Sequence, residues 1–522
     1  MLLAREGFSS SVIGLSSRYE RGRERAGAPW GAWRVTIWHE ELLLIDGALA
    51  PATSGATYET VDPATEAVLG RAADATVDDA RRAIAAARHA FDTTGWSRDH
   101  AFRVRCLRQL HQALRDNVDS LREILVREVG APVSSTSGPQ LEGPIDVIAW
   151  YADLLEGYDF VEDLGERDTF AGRHHRWIEK EAAGVVGAIA AYNYPIQLAL
   201  AKLAPALAAG CTVVLKGAPD TPWSTLGLGR LVAEATEIPP GVVNVLAGSD
   251  NAVGAELTTH PEVDVVSFTG STPVGRQIMA AASATVKRVF LELGGKSAFV
   301  LLDDGDAAMA AMFCSYAATS HAGQGCAITS RLVVPRDQYD DVVDAARTTL
   351  AGVPYGDPSD PTNMMGPLIS ERQREKVAGY VDRAIAEGAK AVIGGRRPEH
   401  LPRGFFYEPT LLVGADENSA VAQDELFGPV LVVLPHDGDD DAVRIANNSI
   451  FGLSGAVIGG DRERALSVAR RIRAGTMSVN GGVYYGPDAP FGGYKQSGIG
   501  REMGAAGLDE FLELKTLAEP AG

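Results

Sequence analysis

The chain has 522 residues, of which 46% are hydrophobic and 22% are charged, and a formal net charge of −20 at pH 7. This length exceeds what one hydrophobic core supports, so we expect about two or three domains of a globular α/β protein. The acidic excess argues against a nucleic-acid partner, because a phosphate backbone is bound by clustered lysine and arginine.

The four cysteines of the chain, Cys106, Cys211, Cys314 and Cys326, are scattered. They have neither metal-ligand spacing nor the density of a secreted disulfide scaffold, so we expect a reduced, cytoplasmic protein without a metal site. The longest apolar tract, residues 182–215, is interrupted by polar residues and prolines. We therefore expect buried strands and a helix there, and no membrane span.

Residues 1–38 are rich in arginine and serine and differ in composition from the rest of the chain. We expect them to form a disordered extension. The alternative is a mitochondrial presequence, which the acidic residues Glu6, Glu20 and Glu24 disfavour.

Three helices are predicted between Asp74 and Pro132. The first begins with Thr76-x-x-Asp79, the pattern of a capping box. Apolar residues at helical spacing are Ala80, Ile84, Ala87 and Phe91 in the first helix, Val104, Leu107, Leu110 and Leu114 in the second, and Leu121, Ile124 and Leu125 in the third.

From Gly184 onward, short apolar runs alternate with helical segments, which indicates a parallel sheet with crossover helices. The runs are 185–191, 211–215, 242–246 and 263–268, and the helical segments are 197–209 and 226–237. A second α/β unit is predicted from runs at 331–335, 430–434, 456–458 and 476–479 and from a helix at 338–350.

Two short segments carry residues suited to covalent catalysis. Glu292 ends an apolar run in Leu291–Ser297, and Cys326 follows the glycine-rich stretch that begins at Gly323. A thiolate can attack a carbonyl carbon, and a carboxylate in apolar surroundings can act as a general base for water. The plainer alternatives are a buried structural cysteine and an ordinary turn beside Gly-Gly.

Further candidates follow predicted strands, where the functional residues of parallel sheets collect. Gly270-x4-Gly275 opens a helix whose N terminus can bind a pyrophosphate. The Asn193 amide can donate to an oxyanion together with the backbone N–H of Cys326, and Lys216 can bind a ribose hydroxyl. The alternatives are turn residues at Gly270 and Asn193, and the solvent end of a strand at Lys216.

Taken in order along residues 40 to 520, these segments resemble the NAD(P)-dependent aldehyde dehydrogenase superfamily. The matching segments are Tyr192–Pro195, Leu215–Lys216, Phe268–Gly275, Leu291–Ser297, Gly323–Cys326, Glu425–Pro429 and Pro490–Gly498. The resemblance implies that Cys326 is the nucleophile of a thiohemiacetal, that Asn193 holds its oxyanion, and that Glu292 activates water to release the acid. The presence of Glu292 favours hydrolysis over acyl transfer to coenzyme A.

The resemblance also implies a dinucleotide cofactor. The residues it assigns are Lys216 at the adenosine ribose, Gly270 and Gly275 with the adjacent Ser271 at the pyrophosphate, and Glu425 and Phe427 at the nicotinamide ribose and ring. Pro219 stands where NAD-preferring members often have a ribose-binding glutamate, and Asp220 is adjacent. We expect NAD, because no arginine stands nearby in sequence to pair a 2′-phosphate, and NADP remains the alternative.

The substrate is expected to be an uncharged aldehyde. Cys326 is flanked by Gly325 and Ala327, so neither an arginine for a carboxylate nor an acid for a quaternary amine stands beside the thiol. By the resemblance, the residues near the aldehyde are Tyr194, Leu198, Ala201, Tyr484 and Tyr485. We expect a wide, apolar tunnel for a medium-chain, terpenoid or aromatic aldehyde.

The predicted fold class is α/β, with a Rossmann-like parallel-sheet cofactor domain, an α/β catalytic domain and a small β oligomerisation arm. The expected limits are 39–160 and 183–292 for the cofactor domain, 293–502 for the catalytic domain, and 161–182 with 503–522 for the arm of a homodimer or homotetramer. Two other functions stay open from the residues: a cofactor-independent thiol esterase and a catalytically silent binding or structural relative.

Overall fold

The computed structural model describes residues 40–521, so the expected extension at 1–38 lies outside the described residues. The strands are β1 (Leu43–Ile45), β2 (Ala48–Ala50), β3 (Thr57–Val61), β4 (Val68–Ala73), β5 (Val161–Thr169), β6 (Gly172–Ala182), β7 (Val185–Ile189), β8 (Thr212–Lys216), β9 (Val243–Leu246), β10 (Val265–Thr269), β11 (Arg288–Glu292), β12 (Ser297–Leu301), β13 (Thr329–Pro335), β14 (Lys390–Ile393), β15 (Thr410–Val413), β16 (Val430–His436), β17 (Ser454–Ile458), β18 (Thr476–Val479), β19 (Gly498–Ile499) and β20 (Leu512–Pro520).

Helices separate most of these strands. They are α1 (Val77–Thr93), α2 (His100–Asp116), α3 (Val118–Ile124), α4 (Glu142–Leu155), α5 (Pro195–Ala209), α6 (Pro222–Ala235), α7 (Asn251–Thr259), α8 (Thr272–Ala282), α9 (Ala307–Thr319), α10 (Tyr339–Ala351), α11 (Glu371–Ala386), α12 (Ala420–Gln423), α13 (Asp439–Asn447), α14 (Arg462–Arg471) and α15 (Gly504–Asp509). Within residues 40–521, none of them combines the length and apolar character that crossing a bilayer requires.

The first sheet has eight strands in the order β19-β11-β10-β7-β8-β9-β1-β2, and the five from β11 to β9 are parallel. The chain leaves β7 toward β8 and β9 on one side and returns to β10 and β11 on the other. The carboxyl end of β7 is therefore a topological switch point, where ligands of such sheets bind. The predicted Rossmann-like sheet is confirmed.

Strand register brings the candidate residues to one edge of this sheet. Ile189 at the end of β7 pairs with Lys216 at the end of β8, and Thr269 at the end of β10 pairs with Glu292 at the end of β11. Because parallel strands end on the same side, Lys216 and Glu292 both lie at the carboxyl edge.

The helices follow the predicted patterns with shifted ends. Thr76 caps α1, and its side chain and that of Asp79 make the reciprocal bonds of a capping box. Helix α6 begins at Pro222, earlier than the predicted 226, because proline is well suited to a first helical position. The apolar tract at 182–215 forms β7, the buried helix α5 and β8, as predicted.

The second sheet has seven strands in the order β14-β15-β16-β13-β12-β17-β18, with buried hydrophobic clusters around it. Its interior strand β12, between β13 and β17, is absent from the predicted runs. Only residues 293–296 separate β12 from β11. This connection is too short for a crossover between parallel neighbours, so β12 enters the other sheet.

A third, antiparallel sheet has the order β20-β6-β5. Strand β20 pairs with β6 from Leu512 opposite Ala182 to Pro520 opposite His174. The side of β20 that does not pair with β6 forms an edge of this sheet. Leu514 on β20 is 67% exposed. The domain limits stay a prediction.

Candidate active site

A cavity of about 510 Å³ lies at the carboxyl edge of the first sheet. Of the predicted site residues, those that line it are Asn193, Gly270, Ser271, Glu292, Cys326, Glu425 and Phe427. The thiol and the acid that stand far apart in sequence thus face one cavity. Lys216 and Gly275 do not line it.

The loop that carries Cys326 is held by its backbone shape and by Gln324. His321, Ala322 and Gly323 all have positive φ angles, of 47°, 53° and 73°. The buried Gln324 side chain donates to the carbonyl oxygens of His321 and Pro367, both at 3.3 Å, and accepts from the Ile369 N–H at 2.9 Å. This positioning role of Gln324 is not among the sequence predictions.

The Gly294-Gly295 pair allows three segments to meet. A Cβ atom on Gly295 would overlap the carbonyl oxygen of Cys326, and one on Gly294 would overlap the carboxylate of Glu425. The Gly295 N–H also donates to Glu425 Oε1 at 3.0 Å. The thiol loop and the Glu425 segment therefore approach the end of β11 only because side chains are missing there.

The Asn193 amide is fixed beside the thiol loop. It is 4% exposed, and its Nδ2 donates to the carbonyl oxygen of Gln324 at 2.9 Å. The backbone carbonyl oxygen of Asn193 accepts a hydrogen bond from Gln140 Nε2 at 3.1 Å. An amide nitrogen has two N–H groups, so one remains for a ligand in the cavity that Asn193 lines.

Glu292 is fully buried, and neither carboxyl oxygen has a hydrogen-bond partner. Burial, reinforced by the nearby Glu502, raises its pKa well above the ordinary value. Burial also raises the pKa of the Cys326 thiol, and Glu292, Glu425 and Glu502 add to that rise. Both shifts favour the protonated, uncharged form of the group.

A buried ion pair lies beside Glu292. Lys202 Nζ on α5 is 2.8 Å from Glu502 Oε1 and donates to Ser267 Oγ at 3.3 Å. Glu502 lines the cavity. Neither residue is among the predicted site residues, although a lysine inside an apolar helix signals a buried partner, because an unpaired buried charge is costly.

The cofactor candidates lie where β10 enters α8. Gly270 and Ser271 line the cavity, Ser271 caps α8 without a side-chain bond, and the buried Thr269 Oγ1 has no partner. The polarised N terminus of α8 thus opens onto the cavity and fits a pyrophosphate. Gly275 has a packing role that the sequence does not show, because a Cβ there would lie 2.7 Å from Leu293.

Lys216 is only 4% exposed, so the alternative of a solvent-facing strand end is wrong. Its Nζ donates to the carbonyl oxygens of Gly217 at 3.1 Å and Gly248 at 3.4 Å. Burial lowers its pKa to about 8. Asp220 lies four residues after Lys216 in the sequence. Burial raises the pKa of Asp220, and the positive charge of Arg372 opposes that rise. An arginine distant in sequence therefore comes close to Asp220.

Glu425 and Phe427 stand on a strained loop before β16. Phe427 has a φ of 62°, and Gln373 Nε2 holds the loop by donating to the carbonyl oxygens of Leu426 at 2.9 Å and Phe427 at 2.7 Å. The Phe427 ring meets Tyr192 edge-on at 6.0 Å. Burial raises the pKa of Glu425 to about 7.

The cavity has further lining residues beyond the predicted site residues. They include Tyr194, Gln197, Leu198, Ile328, Tyr484, Tyr485 and Phe491. Ala201, expected near the aldehyde, does not line the cavity. Within residues 40–521, no group of three or more His, Cys, Asp or Glu side chains could hold a metal ion.

A dinucleotide-type sheet whose switch point opens onto a cavity lined by a partly exposed thiol is typical of cofactor-dependent enzymes that work through a covalent cysteine intermediate. Comparison with known proteins gives the family. The model of the aldehyde dehydrogenase family matches residues 50–517. The chain belongs to this family and is an aldehyde dehydrogenase.

Several relatives match over nearly their whole length. The chain is 41% identical over 477 residues, covering 91% of this chain and 97% of the other, to a 3-succinoylsemialdehyde-pyridine dehydrogenase of a Pseudomonas species. Aldehyde dehydrogenase C of Pseudomonas syringae, a cysteine-to-alanine mutant solved with NAD+ and octanal, has a TM-score of 0.86 and 38% identity, covering 91% and 96% of the two chains. A Mycobacterium tuberculosis aldehyde dehydrogenase solved with NAD+ has a TM-score of 0.88 and 38% identity, covering 92% and 99%.

Gly295→Ala tests the close approach of the thiol loop. We expect kcat/KM for an aldehyde to fall about 100-fold, because the Cys326 backbone must move by a fraction of an ångström or more. Steady-state kinetics measures this effect. The control is Gly157→Ala, since a Cβ at Gly157 meets nothing within 4 Å. Equal activity of the two variants would contradict the packing argument.

Proposed function

We propose that this aldehyde dehydrogenase oxidises its substrate through an acyl-enzyme on Cys326 and releases the acid by hydrolysis. The observation that supports this most is the single cavity shared by Cys326, Glu292, Asn193 and the Glu425 segment. The partly exposed Cys326 thiol gives its proton to solvent water, and the sulfur attacks the aldehyde carbon. The free N–H of Asn193 and the backbone N–H of Cys326 stabilise the oxyanion of the thiohemiacetal.

Glu292 acts in the second half of the reaction. Burial moves the pKa of Glu292 upward from its ordinary value. A carboxylate with a higher pKa is a stronger base for water than an ordinary one. Water attacks the thioester carbon, the C–S bond breaks, and the proton passes to Glu292. We propose that the Lys202–Glu502 pair then carries that proton away, because Glu502 also lines the cavity and acts on the Glu292 charge.

The cofactor is a nicotinamide dinucleotide, and the Pseudomonas syringae and Mycobacterium relatives solved with NAD+ support this assignment. When bound, it accepts the hydride that turns the thiohemiacetal into a thioester. We assign Gly270, Ser271 and the α8 N terminus to the pyrophosphate, Lys216 to the adenosine ribose, and Glu425 with Phe427 to the nicotinamide end. We propose NAD over NADP, because the half-buried Asp220 disfavours a 2′-phosphate although Arg372 lies near it.

We propose an uncharged, largely apolar aldehyde as the substrate. The ionisable cavity residues other than tyrosine are Glu292, Cys326, Lys376, Glu425 and Glu502, and all of them belong to the catalytic centre or the cofactor end. Octanal in one related structure and a pyridine-bearing semialdehyde in the name of another relative are consistent with a medium-chain or aromatic aldehyde.

Reduced-cofactor formation tests the mechanism. We expect Cys326→Ala to abolish turnover, because no acyl-enzyme can form. Glu292→Gln should release one equivalent of reduced cofactor per active site in a burst and then turn over about 100-fold more slowly or worse, because only deacylation loses its base. Stopped-flow absorbance with NAD and with NADP measures both. Full steady-state activity of Glu292→Gln would contradict the role of Glu292.

A substrate panel tests the proposed aldehyde. We expect higher kcat/KM for decanal and benzaldehyde than for acetaldehyde or a semialdehyde acid, because the wall offers apolar surface and no cation. Preference for the semialdehyde acid would overturn this assignment. All the aldehydes are assayed with the same enzyme preparation, which controls for enzyme concentration.

We also propose a cytoplasmic homodimer or homotetramer joined through the sheet β20-β6-β5. The free edge of β20, with Leu514 exposed, is suited to pairing across subunits. The membership of the three larger sheets supports the proposed division into a cofactor domain, a catalytic domain and this arm, except that β19, inside the expected catalytic limits, pairs with the first sheet.

Light scattering tests the arm. We expect the native chain to be a dimer or tetramer and Leu514→Glu to shift it toward smaller species, because a charge replaces apolar surface at the proposed interface. Ile385→Glu places the same charge at another exposed apolar position, on α11. A native monomer, or equal dissociation of both variants, would refute the arm proposal.

A further inference from the structure

Helix α5 contains two polar residues, Gln197 and Lys202, among otherwise apolar ones. Lys202 pairs with Glu502. Gln197 Nε2 donates a hydrogen bond to the hydroxyl of Tyr485, and both residues line the cavity. Both side chains are partly buried, and the proposed catalytic steps give their hydrogen bond no role.

Within residues 40–521, the geometry of this pair leaves two donors, the second Gln197 N–H and the Tyr485 O–H, and one acceptor, Gln197 Oε1, unused. The Gln197 N–H occupies the Tyr485 oxygen as an acceptor, and within residues 40–521 the Tyr485 hydroxyl donates to no protein acceptor. Gln197 Oε1 likewise accepts no hydrogen bond there. If the amide turns over, the roles exchange and the Gln197 N–H groups become the free donors. In both orientations a donor remains in the cavity wall.

Tyr485 is well held and remains uncharged. Its ring meets Phe491 edge-on at 5.6 Å. Burial raises its pKa well above the ordinary value, and the charges of Glu502 and Cys326 raise it further. The phenol therefore keeps its proton across the working pH range and can donate to a neutral acceptor. The effect of Cys326 on this pKa also shows that Tyr485 lies near the thiol.

The surroundings define the chemistry of a ligand at this pair. Apolar residues that line the same cavity include Leu198, Ile328 and Phe491, and the Phe491 ring contacts Tyr485. The charged lining groups belong to the catalytic centre or to the cofactor end. A carboxylate on the substrate would find no cation beside Tyr485, whereas a neutral oxygen or ring nitrogen would find a hydrogen-bond donor.

We propose that Gln197 and Tyr485 form a hydrogen-bonding site that selects uncharged aldehydes carrying a neutral acceptor, an ether or carbonyl oxygen or a ring nitrogen, over hydrocarbon aldehydes of the same shape. This inference rests on the proposed function, because it concerns the aldehyde side of the same cavity. Gln197 orients the phenol, and Tyr485 contacts the substrate. A purely structural pair would give no such discrimination.

Isosteric substrate pairs test the proposal. The pairs are 4-methoxybenzaldehyde with 4-ethylbenzaldehyde, and pyridine-3-carbaldehyde with benzaldehyde. For each pair we compare the ratio of kcat/KM between the native enzyme and Tyr485→Phe, because the intrinsic reactivity of the aldehydes cancels in that comparison. We expect Tyr485→Phe to lower the ratio about five-fold for at least one pair, mainly through KM of the acceptor-bearing aldehyde.

Two further variants sharpen the test. Gln197→Leu should lower the same ratio as Tyr485→Phe, and if it melts at a much lower temperature, Tyr485→Phe alone decides. Tyr484→Phe removes the adjacent phenol, which is not bonded to Gln197, and should leave the ratio within two-fold of native. Unchanged ratios in Tyr485→Phe, or loss of the preference in Tyr484→Phe, overturn the proposal. Native enzyme that oxidises none of the four aldehydes would refute the proposed function instead.

Discussion

The contact between Gly294-Gly295 and the loops of Cys326 and Glu425 is the constraint on which the site depends. β11 belongs to the first sheet and β12 to the second, and the four-residue link between them carries both glycines. Because neither glycine has a side chain, the thiol loop can lie against one and the Glu425 carboxylate against the other. Glu292, Cys326 and Glu425 are thereby brought into one cavity by a connection too short to move far.

Electrostatics around the thiol follows from this crowding. Three acids, Glu292, Glu425 and Glu502, act on Cys326, and burial raises the pKa of both the thiol and Glu292. Both shifts favour the uncharged forms of these two groups, and the charged Lys202–Glu502 pair lies beside them. Under the proposed mechanism the thiol must lose its proton before the sulfur can attack, so proton transfer is part of catalysis.

The groups that line the cavity differ in what they offer a ligand. The α8 N terminus and the buried Glu425 carboxyl provide fixed polar groups suited to a large, charged cofactor. The phenols and aliphatic side chains that also line the cavity leave discrimination among aldehydes to shape and to single hydrogen bonds. Selectivity among aldehydes is therefore expected to be modest, because one neutral hydrogen bond changes affinity by about an order of magnitude at most.

Local patterns in the sequence determined the α/β class, the parallel strands, the capping box at Thr76 and Asp79, and the identity of Cys326, Glu292 and Asn193 as candidates, because each depends on residues close in the chain. The resemblance of the sequence to the aldehyde dehydrogenase family added the cofactor segment at Glu425 to these candidates. Only tertiary structure decided that Lys202 meets Glu502, that Arg372 comes near Asp220, that Gln197 rather than Ala201 faces the cavity, and that Gly275 packs on Leu293. Those contacts join residues from separate elements, and strand order and helix rotation, which no local spacing specifies, set which side chains meet.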